Sequence, residues 1–266
     1  VAFGGGVTGD MAGFLSAIYM RGIPFVQMPT SLLAMVDSSV GGKTGIDTTK
    51  GKNLIGSFYQ PKKVIIDVSF LDTLAQFEFI NGMAEVIKHA VIKDRDYFDF
   101  LNENKQKILD KSTDELIKMI EWSCRIKAAV VEQDEKEKGQ RQILNFGHTI
   151  GHAIENASEY TISHGYAVAL GMVAEAELSV LRGLLKQDEA DYIRKLLTDY
   201  GLLEYQKEIP ALNEETLILS AKIDKKNDKS QIKFVPIESI GKTHIHEGSY
   251  SVAMSEDELI EAIKKI

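Results

Sequence analysis

The sequence predicts an α/β fold over residues 1–75, followed by a mostly helical domain over residues 76–266. Up to about residue 75, short apolar runs rich in β-forming residues alternate with glycine-rich turns and amphipathic segments, which is the pattern of βαβ units. From Asn81 onward, apolar residues recur at the helical period, with Asn, Asp and Gly at the breaks. This change of period divides the chain into two predicted domains.

The predicted elements follow this division. Strands are expected at residues 1–3, 25–28 and 64–68, with helices at about 9–20 and 30–38. Further helices are expected at about 81–93, 96–108, 113–135, 142–156, 165–183, 188–200, 214–222 and 256–265. Before the last helix, residues 231–234, 237 and 242–245 are expected to form a small β-hairpin.

The composition excludes several classes of protein. The 266 residues include 31 Lys and Arg against 39 Asp and Glu, a formal charge of −8, so a basic surface for nucleic acid is not expected. No window has the unbroken apolar length of a membrane span, so no membrane partner is predicted. Cys124 is the only cysteine, which excludes an intrachain disulfide and favours a cytoplasmic location. Because the chain opens inside a strand-like segment without Met, we expect a fragment or a processed chain.

A glycine-rich segment at residues 4–9 satisfies the pattern G-x-G-x-x-G between a predicted strand and a predicted helix. In that context glycines let the backbone approach a pyrophosphate, and the helix N-terminus supplies N–H groups and positive partial charge. The acidic residue expected about 20 residues later is missing, because no Asp or Glu occurs between Asp10 and Asp37. The segment is therefore a phosphate loop without the full dinucleotide fingerprint, or a structural glycine turn.

A second glycine pair precedes a lysine at Gly41-Gly42-Lys43-Thr44. A P-loop is excluded, because Asp37 occupies the position of its first glycine and no strand runs directly into the motif. The segment is expected to be a flexible turn that presents Lys43, with Lys50, Lys52 and Asn53 following. These side chains form either an anion site or an ordinary solvated surface.

Histidine spacing is the most informative feature of the helical part. A helix beginning near Ile143 would place Asn145, His148 and His152 on one face, and His164 follows before the next apolar helix. Two histidines at i and i+4 with a distant third ligand are ordinary for a divalent metal site, and a carboxylate is the usual further partner. Glu85, embedded in an apolar segment, is the strongest candidate for it. The alternative is that the histidines are hydrogen-bonded core residues and that Glu85 pairs with Lys88.

Several segments together resemble the 3-dehydroquinate synthase family, in the same order along the chain. They are GGGVTGD at 4–10, PTSLLA at 29–34, DSSVGGKTGI at 37–46, KNLIG at 52–56, GMAEVIK at 82–88, LNFGHTIGHA at 144–153 and DKK at 224–226. The resemblance covers essentially the whole chain. It implies an incomplete Rossmann-like NAD-binding domain, lacking its N-terminal part, and a helical metal-binding domain.

The resemblance also implies an activity. Members of this family convert 3-deoxy-D-arabino-heptulosonate 7-phosphate to 3-dehydroquinate and phosphate in the shikimate pathway, using NAD transiently together with Zn²⁺ or Co²⁺. A homodimer is implied as well, with Arg21 reaching the phosphate site of the neighbouring subunit. In this reaction the departing phosphate itself is basic enough to take the proton from C6.

Site residues carry over from the family position by position. The implied metal ligands are Glu85, His148 and His164, which moves His152 into reach of the substrate. The residues implied to contact substrate are Lys43, Asn53, Lys88, Lys127, Arg141, Asn145, His152, Lys225 or Lys226, and Arg21. Of these, Lys127 and Arg141 would face the carboxylate, and Lys43, Lys88, Asn145 and His152 are the implied catalytic residues. The residues implied to bind NAD are Gly5, Gly6, Val7, Asp10, Thr30, Ser31, Asp37, Lys43 and Lys52.

Three other interpretations remain open. The first is a related cyclase whose substrate lacks a carboxylate, of the aminocyclitol or valiolone type, against which Arg141, Asn145 and His152 argue. The second is an iron-type alcohol dehydrogenase, which would not need the cationic residues at positions 43, 88, 127 and 141. The third is a truncated, non-enzymatic chain that folds but lacks affinity for the cofactor.

Overall fold

The computed structural model describes residues 1–48, 51–223 and 231–266, apart from the side chains of residues 51–53, 210 and 223. The chain divides into two compact units. Unit 1 comprises residues 1–86 and 106–136, and unit 2 comprises residues 87–105 and 137–266. The predicted succession of an α/β part and a mostly helical part is confirmed. The predicted domain boundary near residue 75 stays a prediction.

A three-stranded parallel sheet organises unit 1. Its strands are β1 (Ala2–Gly4), β2 (Val26–Pro29) and β5 (Lys63–Val64), in the order β1-β2-β5. Helix α1 (Gly6–Ile18) connects β1 to β2, as a βαβ unit requires. All three strands lie where the apolar runs predicted them, although β5 is only two residues long.

Lys43 is exposed and follows the glycine pair Gly41-Gly42, but it also begins a strand that the sequence analysis did not predict. Residues on both sides form an antiparallel hairpin of β3 (Lys43–Thr48) and β4 (Gly51–Phe58), in which Lys43 is paired with Phe58. Gly45 and Gly56 face each other across the pair, and a Cβ at Gly45 would lie 2.8 Å from the Ile55 carbonyl oxygen. The glycines allow this close approach, and because glycine is rare in strands they also hid the hairpin from pattern analysis.

The helices of the described residues fall close to their predicted positions. They are α2 (Gln76–Lys93), α3 (Arg95–Glu103), α4 (Lys105–Leu109), α5 (Thr113–Gln133), α6 (His148–Ala157), α7 (His164–Leu181), α8 (Gln187–Asp199), α9 (Glu214–Ile223) and α10 (Glu256–Lys264). Three predicted helices differ: 96–108 divides into α3 and α4, 30–38 contains a π-helical turn at Ala34–Ser38, and 142–156 begins late. No helix in the described ranges is both long and apolar enough to cross a bilayer.

The predicted helix over residues 142–156 begins later than expected. Residues Gln140–Asn145 form a 3₁₀ helix, and α6 starts only at His148, because Gly147 adopts the left-handed conformation with φ +77°. Asn145 therefore does not share a helix face with His148 and His152, and that prediction is corrected.

The C-terminal strands of unit 2 pair differently from the single predicted hairpin. Strand β6 (Ile232–Phe234) pairs antiparallel with β9 (Val252–Met254), just before α10. Part of the predicted hairpin does form, between β7 (Ile237–Ser239) and β8 (Lys242–Thr243). Apolar alternation located these strands, but it carries no information about which strand pairs with which.

Close contact between α6 and α7 depends on glycine. A Cβ at Gly171 would overlap the carbonyl oxygen of Gly147 and lie 2.7 Å from the amide nitrogen of Gly151. A Cβ at Gly151 would lie 2.9 Å from the Cα of Val168. In each case the obstacle is backbone, which cannot rotate away as a flexible side chain can. The two helices can therefore lie this close only with hydrogen at these positions.

Gly171→Ala is expected to destabilise the protein by about 1–3 kcal/mol or more, because the added methyl group forces α6 and α7 apart. The measurement is the midpoint of thermal unfolding. The matched control is Gly183→Ala, where no atom lies within 4 Å of the new Cβ but φ is +69°. The free energy of unfolding of the control should fall only by the backbone strain, about 1–2 kcal/mol. A Gly171→Ala midpoint equal to the native one would contradict the packing argument.

Candidate active site

The glycine segment of unit 1 opens a helix. Strand β1 ends at Gly4, and α1 begins at Gly6 with Gly5 as its N-cap and no side chain capping it. The first backbone N–H groups of such a helix are suited to an anion. A Cβ at Gly5 would lie 3.6 Å from the hydroxyl oxygen of Ser31, so the structure brings the predicted cofactor residues Gly5, Gly6 and Ser31 together.

An acidic cluster with one buried lysine lies in the same unit. Burial and the negative charge of Asp37 raise the pKa of Asp10 to about 6, against the opposing effect of Lys127. The buried Lys127 on α5 donates from Nζ to Asp37 Oδ1 at 2.5 Å and to the Asp37 carbonyl oxygen. Asp37 lies in the π-helical turn, and Cys124 Sγ donates to the carbonyl oxygen of Met35 in that same turn. Lys127 therefore holds the predicted cofactor residue Asp37.

The other predicted residues of unit 1 are more exposed. Lys43 and Val7 lie on the surface, as does Arg21, which has a left-handed backbone with φ +67°. Thr30 is half-buried, and its backbone N–H donates to the Gly4 carbonyl oxygen at 2.9 Å. The side chains of Lys52 and Asn53, and the whole of Lys225 and Lys226, lie outside the described residues.

Helix α2 carries two buried charged side chains. Glu85 is fully buried, and Lys88, three residues later in the same helix, is almost fully buried. Burying a carboxylate and an ammonium group is costly, and proteins do so mainly where the charges serve binding or catalysis. Both residues therefore remain candidates for the roles predicted for them.

Three histidines come together in unit 2. His148 is the first residue of α6, His152 lies one turn later, and His164 is the first residue of α7. Their ring centroids are 5.3 Å apart for His148 and His152, 5.4 Å for His148 and His164, and 5.8 Å for His152 and His164. His148 Nδ1 lies 3.2 Å from the carbonyl oxygen of Phe146. The i, i+4 spacing on α6 was predicted correctly, and the approach of His164 depends on the α6–α7 contact.

Glu155 completes this cluster and was missed by the sequence analysis. Its side chain is only 7% exposed, and its Oε2 lies 3.1 Å from His164 Nδ1 and 4.0 Å from His152 Nε2. The available signal was the spacing, because His148, His152 and Glu155 follow one another at four and three residues along one face of α6.

The donor atoms suit a divalent metal. Ligand atoms of His152, Glu155 and His164 all lie within 4.8 Å of one another. Imidazole nitrogen and carboxylate oxygen are the donors that Zn²⁺ and similar ions take in catalytic sites. The residues of unit 2 thus fit a metal of the predicted kind.

Two further predicted residues precede α6. The Asn145 side chain donates from Nδ2 to Glu137 Oε1 at 2.9 Å, and Arg141 in the same 3₁₀ helix is almost fully buried. Asn145 therefore ends the 3₁₀ helix before the histidines rather than lying on α6.

Comparison with known families decides the classification. The family model for the N-terminal part of 3-dehydroquinate synthase matches residues 1–81, and the model for its C-terminal part matches residues 82–227. The chain belongs to the 3-dehydroquinate synthase family. The family predicted from the sequence blocks is thereby confirmed.

Curated members of the family resemble the chain over most of its length. The 3-dehydroquinate synthase of Thermodesulfovibrio yellowstonii is 48% identical over 248 residues, which are 92% of this chain and 68% of that protein. The enzyme of Desulforamulus reducens is 49% identical over 247 residues, again 92% and 68%. That of Thermoanaerobacter sp. is 45% identical over 266 residues, which are 99% of this chain and 72% of the relative.

Solved structures of other sugar-phosphate cyclases share the fold. A 2-deoxy-scyllo-inosose synthase complexed with carbaglucose-6-phosphate, NAD⁺ and Co²⁺ has a TM-score of 0.90 at 28% identity, covering 99% of this chain and 73% of that one. A 2-epi-5-epi-valiolone synthase from Streptomyces hygroscopicus, with NAD⁺ and Zn²⁺ bound, has a TM-score of 0.87 at 25% identity, covering 99% and 71%.

These values bear on the rival interpretations. The aminocyclitol and valiolone cyclases are 25–28% identical to the chain, whereas the three curated synthases described above are 45–49% identical. An iron-containing alcohol dehydrogenase has a TM-score of 0.57 at 13% identity over 99% of this chain and 73% of its own, which shows a shared fold alone. Sequence similarity thus favours the 3-dehydroquinate synthases over both rivals.

Asp10→Asn is expected to raise the unfolding midpoint at pH 8 but not at low pH. The folded protein holds the pKa of Asp10 at about 6, above its ordinary value of 3.8, so ionised Asp10 is penalised only in the folded state. The penalty is complete above about pH 6 and vanishes below about pH 4, where Asp10 is protonated in both states. The measurement is the difference in unfolding midpoint between variant and native protein across this pH range. The exposed Asp72→Asn is the control, and a pH-independent difference for Asp10→Asn would contradict the shift.

Proposed function

We propose that this chain converts 3-deoxy-D-arabino-heptulosonate 7-phosphate to 3-dehydroquinate and phosphate, as a phosphate-eliminating lyase. One observation carries the proposal: His148, His152 and His164 converge in a chain 45–49% identical to curated 3-dehydroquinate synthases. The cysteine content, one residue in the sequence, supports the cytoplasm as its location, and the exposed Arg21 is proposed to reach the active site of a second copy in a homodimer.

The chain offers residues for both cofactors of this reaction. The proposed NAD-binding residues are Gly5, Gly6, Val7, Asp10, Thr30, Ser31, Asp37, Lys43 and Lys52. The proposed ligands of Zn²⁺ or Co²⁺ are Glu85, His148 and His164. When bound, NAD would accept and return a hydride, and the ion would act as a Lewis acid toward substrate oxygens. The open helix N-terminus at Gly5 and Gly6, and the His148 and His164 rings with centroids 5.4 Å apart, support these assignments.

The substrate is a double anion, so the chain must supply cations despite its net negative charge. We propose that Lys43, Asn53, Asn145, His152 and one of Lys225 and Lys226 bind the phosphate, and that Lys88 binds the hydroxyl groups. Arg141 and Lys127 are proposed to hold the carboxylate, since a guanidinium can grip both of its oxygens. Lys88, Lys127 and Arg141 are almost fully buried, so their side chains are held in defined positions, which supports these roles.

His152 and Asn145 have a positioning task in the elimination. Held by these two side chains, the phosphate would present its own oxygen to the C6 proton, so no separate protein base is needed. The proton then leaves with the phosphate. Correct placement of reacting groups contributes a large part of such rate enhancements.

The direct test is phosphate release from the heptulosonate phosphate with catalytic NAD, before and after chelation. We expect one phosphate for each 3-dehydroquinate formed, loss of turnover on chelation, recovery with Zn²⁺ or Co²⁺, and no net NADH. Accumulation of NADH would instead indicate a dehydrogenase. Preferred turnover of a sugar phosphate without a carboxylate would indicate the aminocyclitol or valiolone type of cyclase, and failure to bind NAD would indicate a non-enzymatic chain.

His152→Ala is expected to slow phosphate release by roughly 100-fold, because the phosphate is no longer oriented, while metal binding is largely retained. His148→Ala is the matched comparison on the same helix, and it should lose the metal. The measurements are single-turnover phosphate release and bound Co²⁺ per chain. Equal loss of metal in the two variants would contradict the assignment of His152 to the substrate.

A further inference from the structure

We propose that Glu155 is a positioning residue that holds His164 in the tautomer and orientation needed to bind the divalent ion. This inference rests on the proposed metal-dependent function and adds a residue that the sequence motifs do not assign. Glu155 Oε2 lies 3.1 Å from His164 Nδ1, which is a hydrogen-bonding distance. The carboxylate acts on the metal through the histidine.

The chemistry of the pair fixes the tautomer. An ionised carboxylate can only accept hydrogen bonds, so the ring nitrogen that faces it must carry the proton. His164 is therefore an Nδ1–H donor, and Nε2 is left as the ring nitrogen that can bind a metal. The same hydrogen bond also fixes the plane of the ring and makes the imidazole a stronger ligand.

His148 shows the same arrangement with a different acceptor. Its Nδ1 lies 3.2 Å from the carbonyl oxygen of Phe146, and a carbonyl oxygen likewise only accepts. Both predicted histidine ligands are thus held through Nδ1, one by backbone and one by Glu155. Only the Glu155 contact can be removed by substitution, which makes it the informative one.

The burial of Glu155 supports a specific role. Its side chain is 7% exposed, whereas His164 is 30% and His152 is 37% exposed. A carboxylate is costly to bury unless hydrogen bonds compensate it. Its neighbours Ala153 and Ile154 on α6 are fully buried, so an apolar residue would also have suited the fold at this position. The carboxylate at the end of the histidine face is explained by its contact with His164.

The experiments below distinguish the positioning role of Glu155 from a second role, in which Glu155 binds the ion directly. Ligand atoms of Glu155, His152 and His164 lie within 4.8 Å, so Glu155 could bind the ion directly. Direct binding through Oε2 would compete with the hydrogen bond between this oxygen and His164 Nδ1. The contact at 3.1 Å favours the positioning role.

The first experiment is titration of metal-free protein with Co²⁺, followed by visible absorption and competition with a chelator. Glu155→Ala should weaken Co²⁺ binding by about 10–100-fold, with little change in the shape of the spectrum. Glu155→Gln, whose amide oxygen can still accept from Nδ1–H, should recover part of the loss. The control is Glu159→Gln, the same change at an exposed residue of the following turn. Unchanged affinity in both Glu155 variants, or a spectrum typical of a lost ligand, would overturn the proposal.

The second experiment reads the tautomer directly and needs no activity. With ¹⁵N-histidine labelling, the chain has only six histidines to resolve, and the His164 signals are identified by their loss in His164→Ala. We expect His164 of the metal-free native protein as the Nδ1–H form, and a shift toward the Nε2–H form in Glu155→Ala. An identical tautomer in both proteins would overturn the proposal.

The two experiments separate this inference from the proposed function. Native protein that binds no Co²⁺ would contradict the metal-dependent function itself. Native protein that binds Co²⁺ no better than the Glu155 variants would contradict the role of Glu155 alone. Circular dichroism shows whether Glu155→Ala folds, and if it does not, Glu155→Leu, whose apolar side chain suits the buried position but cannot accept a hydrogen bond, carries both measurements.

Discussion

The close contact of α6 and α7 is the constraint on which the candidate site depends. Gly147, Gly151 and Gly171 leave room for backbone to meet backbone there, and no residue with a Cβ would fit at Gly171. This contact carries His164, at the start of α7, to the histidines of α6. Without it, His164 on α7 would lie apart from His148 on α6, and these two imidazoles could not bind the same ion.

In unit 1, contacts between opposite charges hold the candidate site residues in place, as helix packing does in unit 2. Lys127 is buried against Asp37, and Asp10 lies near enough to both that its pKa is raised by burial and by Asp37. An acidic protein that binds a doubly anionic substrate needs cations at defined places, and each must be stable when the substrate is absent. The contact of Lys127 with Asp37 provides this stability and holds the lysine in one place.

Sequence patterns located the elements of the fold but not every feature of the site. Period-2 and period-3.6 patterns gave the parallel strands and nearly all the helices, since they report burial along one element. They missed the β3–β4 hairpin, because its strands contain Gly45 and Gly56. They also placed Asn145 on α6, although the left-handed Gly147 makes this helix begin only at His148. The contacts of Lys127 with Asp37 and of Glu155 with His164 are tertiary, so no local pattern encodes them. The roles that the family resemblance implies for individual residues stay predictions until they are measured.

We propose that His148, His164 and Glu85 bind one divalent ion. Anomalous diffraction at the cobalt edge, from crystals grown with Co²⁺, tests it most directly. The account predicts a single strong peak at roughly 2.0–2.2 Å from Nε2 of both histidines and from a Glu85 carboxylate oxygen. A peak bound by His152 and Glu155 instead, or no peak near the histidines, would contradict it.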